Sequence, residues 1–144
     1  MSRLHFVAGL LLLSSAGGIA EAKSLASQLD GEWSLVSSEQ VLDNGSRGPS
    51  PLYGQGGVSH LVFTDAGEMC AMVASRDDMN AYCGQYQLNE GARDVVFDVQ
   101  MDGVPNDLGD KLHREITFDH GKLKLRTVKP KAGVAEYTLT FKRM

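Results

Sequence analysis

Few residues of this 144-residue chain combine a reactive type with a telling position, and Arg114 is the first of them. It lies in an alternating stretch in which Leu112, Ile116 and Phe118 share its face. A guanidinium does not give up its proton. If that face is buried, the charge must be met by a carboxylate, carbonyls, water or an anionic ligand. Two readings follow: a structural arginine that pairs with an acid such as Glu39 or snorkels from an end, or an anchor for a ligand carboxylate. His60 and His113 also alternate with apolar neighbours. Two histidines on separate strands could move protons on a substrate, and each could equally be a surface or hydrogen-bonded histidine. Tyr82 and Tyr86 fall on one face around Gly84. They either fill a core or form an aromatic wall whose hydroxyls meet a ligand's polar end. Phe97 and Tyr137, on the apolar faces of their own segments, complete the candidate ligand-lining set with Arg114, Tyr82, Tyr86 and His60.

Motifs that would carry catalysis are missing from the sequence. There is no nucleophile elbow, zinc signature or pair of catalytic acids, and Gly54-Gln55-Gly56-Gly57 precedes no helix that could offer N–H groups to a phosphate. Neither a catalytic residue nor a cofactor nor a metal is expected. The long Gly/Pro connection from Arg47 to Gly57 could serve as a lid beside a cavity.

The segments that must position these residues alternate with period two and are separated by short turn signals. Lys23 to Leu29 reads as one short helical turn. Eight strands follow, at about Glu32–Leu42, Val58–Phe63, Glu68–Ala74, Ala81–Leu88, Asp94–Met101, Lys111–Phe118, Lys122–Val128 and Val134–Lys142. Leu123, Leu125 and Thr127 alternate with Lys122, Lys124 and Arg126. Tyr137, Leu139 and Phe141 alternate with Glu136, Thr138 and Thr140. Val95, Phe97, Val99 and Met101 read as a third apolar face. One apolar face per strand implies an antiparallel sheet with one solvated side. With no long amphipathic helix to cover it, the sheet must close on itself, which also removes exposed edges.

Two cysteines, Cys70 and Cys83, are present. An even pair in an exported protein indicates a disulfide, whereas a zinc site would have to recruit His60, His113 or His120. On the fourth strand Tyr82, Gly84, Tyr86 and Leu88 take the inward face and leave Cys83 outward. On the third, Met69, Ala71 and Val73 do the same for Cys70. If Cys70 opposes Cys83, then Met72 opposes Ala81, Ala74 opposes Met79, and the turn falls at Arg76-Asp77-Asp78.

Export itself is read from the first residues. A basic head (Arg3, His5), an apolar run from Phe6 to Leu13 and Ala20-Glu21-Ala22 have the layout of a cleaved secretory signal. The expected division is therefore a leader at residues 1–22 and one domain at 23–144, bound for the periplasm or the exterior. Removing the leader takes away Arg3 and Glu21 and leaves the net charge at −4. That mild acidity, with no basic patch, argues against nucleic-acid binding. No second apolar span suggests membrane insertion of the mature chain.

Gly31-Glu32-Trp33 opens the first strand straight after the helical stretch, and Phe141-Lys142-Arg143 closes the chain. This combination resembles the lipocalins and related calycin barrels, in which a basic residue near the end of the chain packs across the first-strand tryptophan. Parity places Arg143 on the face of Tyr137, Leu139 and Phe141, in keeping with such a contact to Trp33. A narrower resemblance is to the bacterial lipocalin-like domain family, through Leu29 to Ser37, Phe63 to Met69, the G-x-Y strand from Tyr82 to Leu88, and Pro105-Asn106 with Gly109. The resemblance implies an all-β fold: an eight-stranded antiparallel up-and-down barrel with a short N-terminal helical turn. It also implies a barrel that holds a small, largely apolar molecule, with a carboxylate if Arg114 is its anchor. An eight-stranded barrel has room for one small ligand or for side-chain filling alone. Two other functions are consistent with the sequence, a cofactor-free isomerase or cyclase working in the cavity, and an inhibitor-like barrel that binds another protein.

Overall fold

In a computed structural model the described residues are 22–50, 58–74, 79–103 and 108–144. Residues 1–21 of the proposed leader, Gly54–Gly57 and the turn at Arg76–Asp78 lie outside them. Among the described residues the first element is a helix, α1 (Leu25–Leu29), whose N-cap Ser24 accepts a hydrogen bond from the Ser27 amide. Nine strands follow: β1 (Gly31–Leu42), β2 (Arg47–Pro49), β3 (Val58–Phe63), β4 (Glu68–Ala74), β5 (Met79–Asn89), β6 (Asp94–Asp102), β7 (Lys111–Asp119), β8 (Lys122–Lys131) and β9 (Val134–Arg143). Consecutive strands from β3 to β9 pair antiparallel, β1 pairs with β3, and β9 returns to β1. The result is a closed eight-stranded up-and-down barrel. The ninth strand, β2, is absent from the sequence reading, because Arg47-Gly48-Pro49 has none of the usual strand formers. It pairs only with Glu39–Val41, the half of β1 that β3 does not reach.

Alternation fills the interior as the sequence implies. Leu61 and Phe63 on β3, Met69 and Ala71 on β4, Val95, Phe97 and Val99 on β6, Leu123 and Leu125 on β8, and Tyr137 and Phe141 on β9 are all buried. Among the register shifts along the strands, two alter which residues face inward relative to the simple alternation. On β1 the register to β9 shifts between Leu35 and Ser37. Trp33 faces inward before the shift, Ser38, Gln40 and Leu42 after it. On β5–β6 the register passes from Cys83↔Met101 to Gly84↔Val99, which leaves Gln100 as the extra residue. Met101 therefore turns outward and is exposed, contrary to its expected place beside Val99.

Gly84 explains why the second bulge sits there. A Cβ on Gly84 would fall 1.9 Å from the Asp98 carbonyl oxygen and 3.1 Å from the Gln100 nitrogen. Only a residue without a side chain allows β6 to fold this closely onto β5.

Cys70 and Cys83 form a disulfide across β4 and β5, with Cα atoms 4.1 Å apart. Cys70 opposes Cys83, Met72 opposes Ala81 and Ala74 opposes Met79. The expected pairing register is the observed one. Both cysteines lie on the outer face, where the bridge ties neighbouring strands without occupying the core.

At one end of the barrel α1 forms a plug. Leu25 and Leu29 are buried in the core cluster, and the Leu25 amide donates to the Glu90 carboxylate in the β5–β6 turn. Trp33 is 1% exposed, donates from Nε1 to the Leu29 carbonyl at 2.7 Å and stacks at 6.0 Å against Phe118. The Arg143 guanidinium lies 4.3 Å from the Trp33 ring centroid and donates to the Gln28 and Asp30 carbonyls. This is the cation–π contact that the calycin resemblance implies and that the parity of β9 supports. Gly31 takes φ +113°, and a Cβ there would sit 2.8 Å from Arg143 Nη1. The glycine of G-x-W thus makes the turn from helix to strand and leaves room for the arginine.

Candidate functional site

The interior is chemically graded along one wall. Three rows of inward-facing side chains cross β7, β8, β9 and β1. Nearest the plug run Phe118, Leu123, Phe141 and Leu35, and next come Ile116, Leu125, Leu139 and Ser38. The third row is polar. Tyr137 opposes both Thr127 and Gln40, and continuing the β7–β8 register one residue past Glu115↔Arg126 brings Arg114 beside Thr127. An apolar row, a row apolar but for Ser38, and a polar row therefore follow one another away from the Trp33 end. Across the barrel, Phe63 meets Tyr86 edge-on at 5.2 Å and Phe97 at 5.9 Å, and Met69, Ala71 and Val95 pack in the same core cluster.

Arg114 opposes buried Val95 and shares the face of Leu112, Ile116 and Phe118. It is half-buried and donates from Nη1 to the His113 carbonyl at 2.8 Å. Among the described residues no carboxylate pairs with it. Glu39 cannot, since the β1 bulge puts it on the outer parity, where it is exposed. A half-buried guanidinium with a carbonyl contact and no counter-ion keeps capacity to bind an anion.

The other candidates fall into three groups. Tyr82 is inward and half-buried. Tyr137 is inward and 6% exposed, and its hydroxyl, like Ser38 Oγ, is buried without a hydrogen-bond partner among the described residues. Lys131, at the end of β8, brings its ammonium within 5.9 Å of the Tyr137 ring centroid. Tyr86 and Phe97 are inward but serve the core. The Tyr86 hydroxyl donates to the Thr64 carbonyl at 2.8 Å and so ties β5 to the β3–β4 turn. Burial pushes this phenol up, with the Asp30 and Asp65 carboxylates adding to the effect, so it stays a neutral donor. His60 stands apart. It alternates with inward Leu61 on β3 and lies opposite Ser34 and Met72 on the outer parity, so the interior set does not include it.

Ser38 and Gln40 escaped the sequence reading because the bulge in β1 reverses parity between Leu35 and Ser38. The stretch Val36-Ser37-Ser38-Glu39 gives no alternation that would betray the slip. Leu42 and Val41 are both apolar, so the far end of the strand does not restore the phase. Thr127 lay on the inward face in the sequence as well, but only the cross-strand register joins it to Tyr137 and Gln40. No cluster of histidine, cysteine or carboxylate groups among the described residues could hold a metal ion.

A closed eight-stranded antiparallel barrel, plugged at one end by a short helix with tryptophan and arginine in contact, is of the calycin type and suggests a ligand-binding barrel protein. The lipocalin-like domain family matches residues 72–144, covering all of β5–β9. The chain belongs to the lipocalin-like domain family. No curated protein matches it.

Proposed function

We propose that this protein is exported and holds one small, largely apolar molecule bearing a carboxylate in the barrel interior, with Arg114 as the anchor. The observation that carries the reading is the state of Arg114: inward-facing, half-buried and without a carboxylate partner among the described residues. A half-buried guanidinium without a counter-ion keeps donors free for a carboxylate, and an anionic ligand head would supply the missing charge. The largely apolar rows beneath the polar one match the chemistry of a hydrocarbon body that follows its head inward. For export the support is the Cys70–Cys83 disulfide, a bond that persists in oxidising compartments, together with the leader-like first residues. No helix among the described residues is long and apolar enough to cross a membrane.

The test compares palmitic acid with its methyl ester on the wild type and on Arg114→Met. Loss of a charge-assisted contact should weaken the acid by about 1.5–3 kcal/mol, roughly ten- to a hundredfold, and leave the ester far less affected. Equal losses for acid and ester would reject the anchor role.

A further inference from the structure

Tyr137 and Ser38 present a second puzzle, which Arg114 does not solve. The Tyr137 ring is buried on β9 at 6% exposure, and its hydroxyl has no hydrogen-bond partner among the described residues. Ser38 Oγ, on the neighbouring β1, is in the same state. Tyr137 opposes Gln40, two residues beyond Ser38, so Ser38 and Tyr137 are diagonal neighbours across the β1–β9 pair. Diagonal neighbours have Cα atoms about 7–8 Å apart, within reach of a long side chain. The inward residues beside Ser38 are Leu139 and then Leu125, which can satisfy neither hydroxyl, and Gln40 and Thr127, which face Tyr137 from either side, make no hydrogen bond to it. Phenylalanine and alanine would fill the same volumes with no unmet donor, so packing alone gives no reason for either hydroxyl.

We propose that the Tyr137 and Ser38 hydroxyls form a second polar subsite in the barrel, one that takes a hydroxyl or carbonyl oxygen on the ligand's carbon skeleton, apart from its acid group. The inference rests on the ligand-holding reading above and narrows the ligand to an oxygenated amphipathic acid. A phenol and a serine hydroxyl each donate and accept, which matches a neutral oxygen that does the same or accepts twice. Distance separates the two subsites. Arg114 and Tyr137 stand in one row on β7 and β9, two strand spacings or roughly 10 Å apart. One ligand meets both when its second oxygen lies several bonds from the carboxylate. The apolar row of Ile116, Leu125 and Leu139 takes the hydrocarbon beside them.

Binding of palmitic acid and of a series of monohydroxylated palmitic acids, with the hydroxyl walked along the chain, tests this on the full-length protein. At the matching position the hydroxylated acid should bind the wild type about two- to tenfold more tightly than palmitic acid. In Tyr137→Phe and Ser38→Ala that ratio should fall toward one. Without ligand, Tyr137→Phe should melt at or above the wild-type temperature, because the substitution removes an unmet hydroxyl. A destabilised ligand-free Tyr137→Phe would overturn the proposal by giving the hydroxyl a structural partner. A ratio near one at every position on the wild type would overturn it too, leaving the hydroxyls to water, and so would a ratio that survives both substitutions. In each of those cases, binding of palmitic acid itself would leave the acid-holding barrel intact. Binding of no acid at all would reject the barrel reading and the subsite together.

Discussion

The Arg143 side chain joins three elements at once: it stands on β9, covers the indole of Trp33 on β1 and donates to two carbonyls at the end of α1. Those carbonyls are among the groups a helix leaves unsatisfied at its C-terminus, where a cation is also favoured by the helix dipole. We expect Arg143→Met to lower stability by about 1–2 kcal/mol, read as a lower urea midpoint with an unchanged slope. Arg143→Lys should recover little of it, because an ammonium cannot fork to two carbonyls while lying flat on a ring. An unchanged midpoint in Arg143→Met would show that the contact contributes nothing. Much of this corner was legible in the sequence: the G-x-W tripeptide, and the parity that turns Arg143 toward Tyr137, Leu139 and Phe141. The reason for the glycine was not. The left-handed φ of Gly31 and the 2.8 Å approach of Arg143 depend on residues 112 positions apart in the chain.

Strands behave more predictably than the irregularities within them. Alternation locates eight strands, with ends that shift by only a few residues, and it puts Cys70 and Cys83 on one outer face, from which the register follows once the two are bridged. The bulges at Val36 and Gln100 are invisible in the sequence, since an extra residue leaves composition unchanged and its effect is read only against the partner strand. This is why Met101 was placed inward, and why Ser38 and Gln40 were missed. Gly84 makes the second bulge testable. Its missing Cβ lets the Asp98 carbonyl approach, so Gly84→Ala must displace backbone and should cost about 3 kcal/mol or more. Gly48→Ala on β2 meets nothing within 4 Å and should stay within about 0.5 kcal/mol of the wild type. Similar midpoints for the two variants in urea would contradict the close packing of β5 on β6.

The β7–β8 hairpin carries a further element-scale expectation. Asp119 accepts from Lys124 Nζ at 2.7 Å and meets His120 Nδ1 at 2.5 Å. Its carboxyl is held below the usual carboxylate range, chiefly by the Lys124 hydrogen bond and then by that of His120. A carboxylate whose pKa is lower folded than unfolded favours the folded state above its unfolded pKa. That contribution fades as pH falls through the depressed folded value. In an NMR titration the Asp119 pKa should lie below that of an exposed aspartate, and Lys124→Ala should raise it toward the ordinary value. No change in Lys124→Ala would mean that the ion pair is not formed in solution.

For the molecule as a whole, the interior is most apolar at the plugged end. That end is packed with Trp33, Phe63, Phe118 and Leu29, whereas the polar row of Arg114, Thr127, Tyr137 and Gln40 lies two rows further along. A barrel that needed only to fold would have no use for a guanidinium and two unmet hydroxyls inside it. The sequence disclosed Arg114 and Tyr137 singly, through parity. Their common row needed four strands in register, and that depends on barrel closure through β1 and β9. The central claim is that the interior holds a small molecule. Native mass spectrometry of the protein, purified from its own host under non-denaturing conditions, tests it most directly. The account predicts the folded chain with one additional small-molecule mass, which is released on denaturation and reduced in Arg114→Met. A bare chain alone, under conditions that preserve non-covalent complexes, would contradict it.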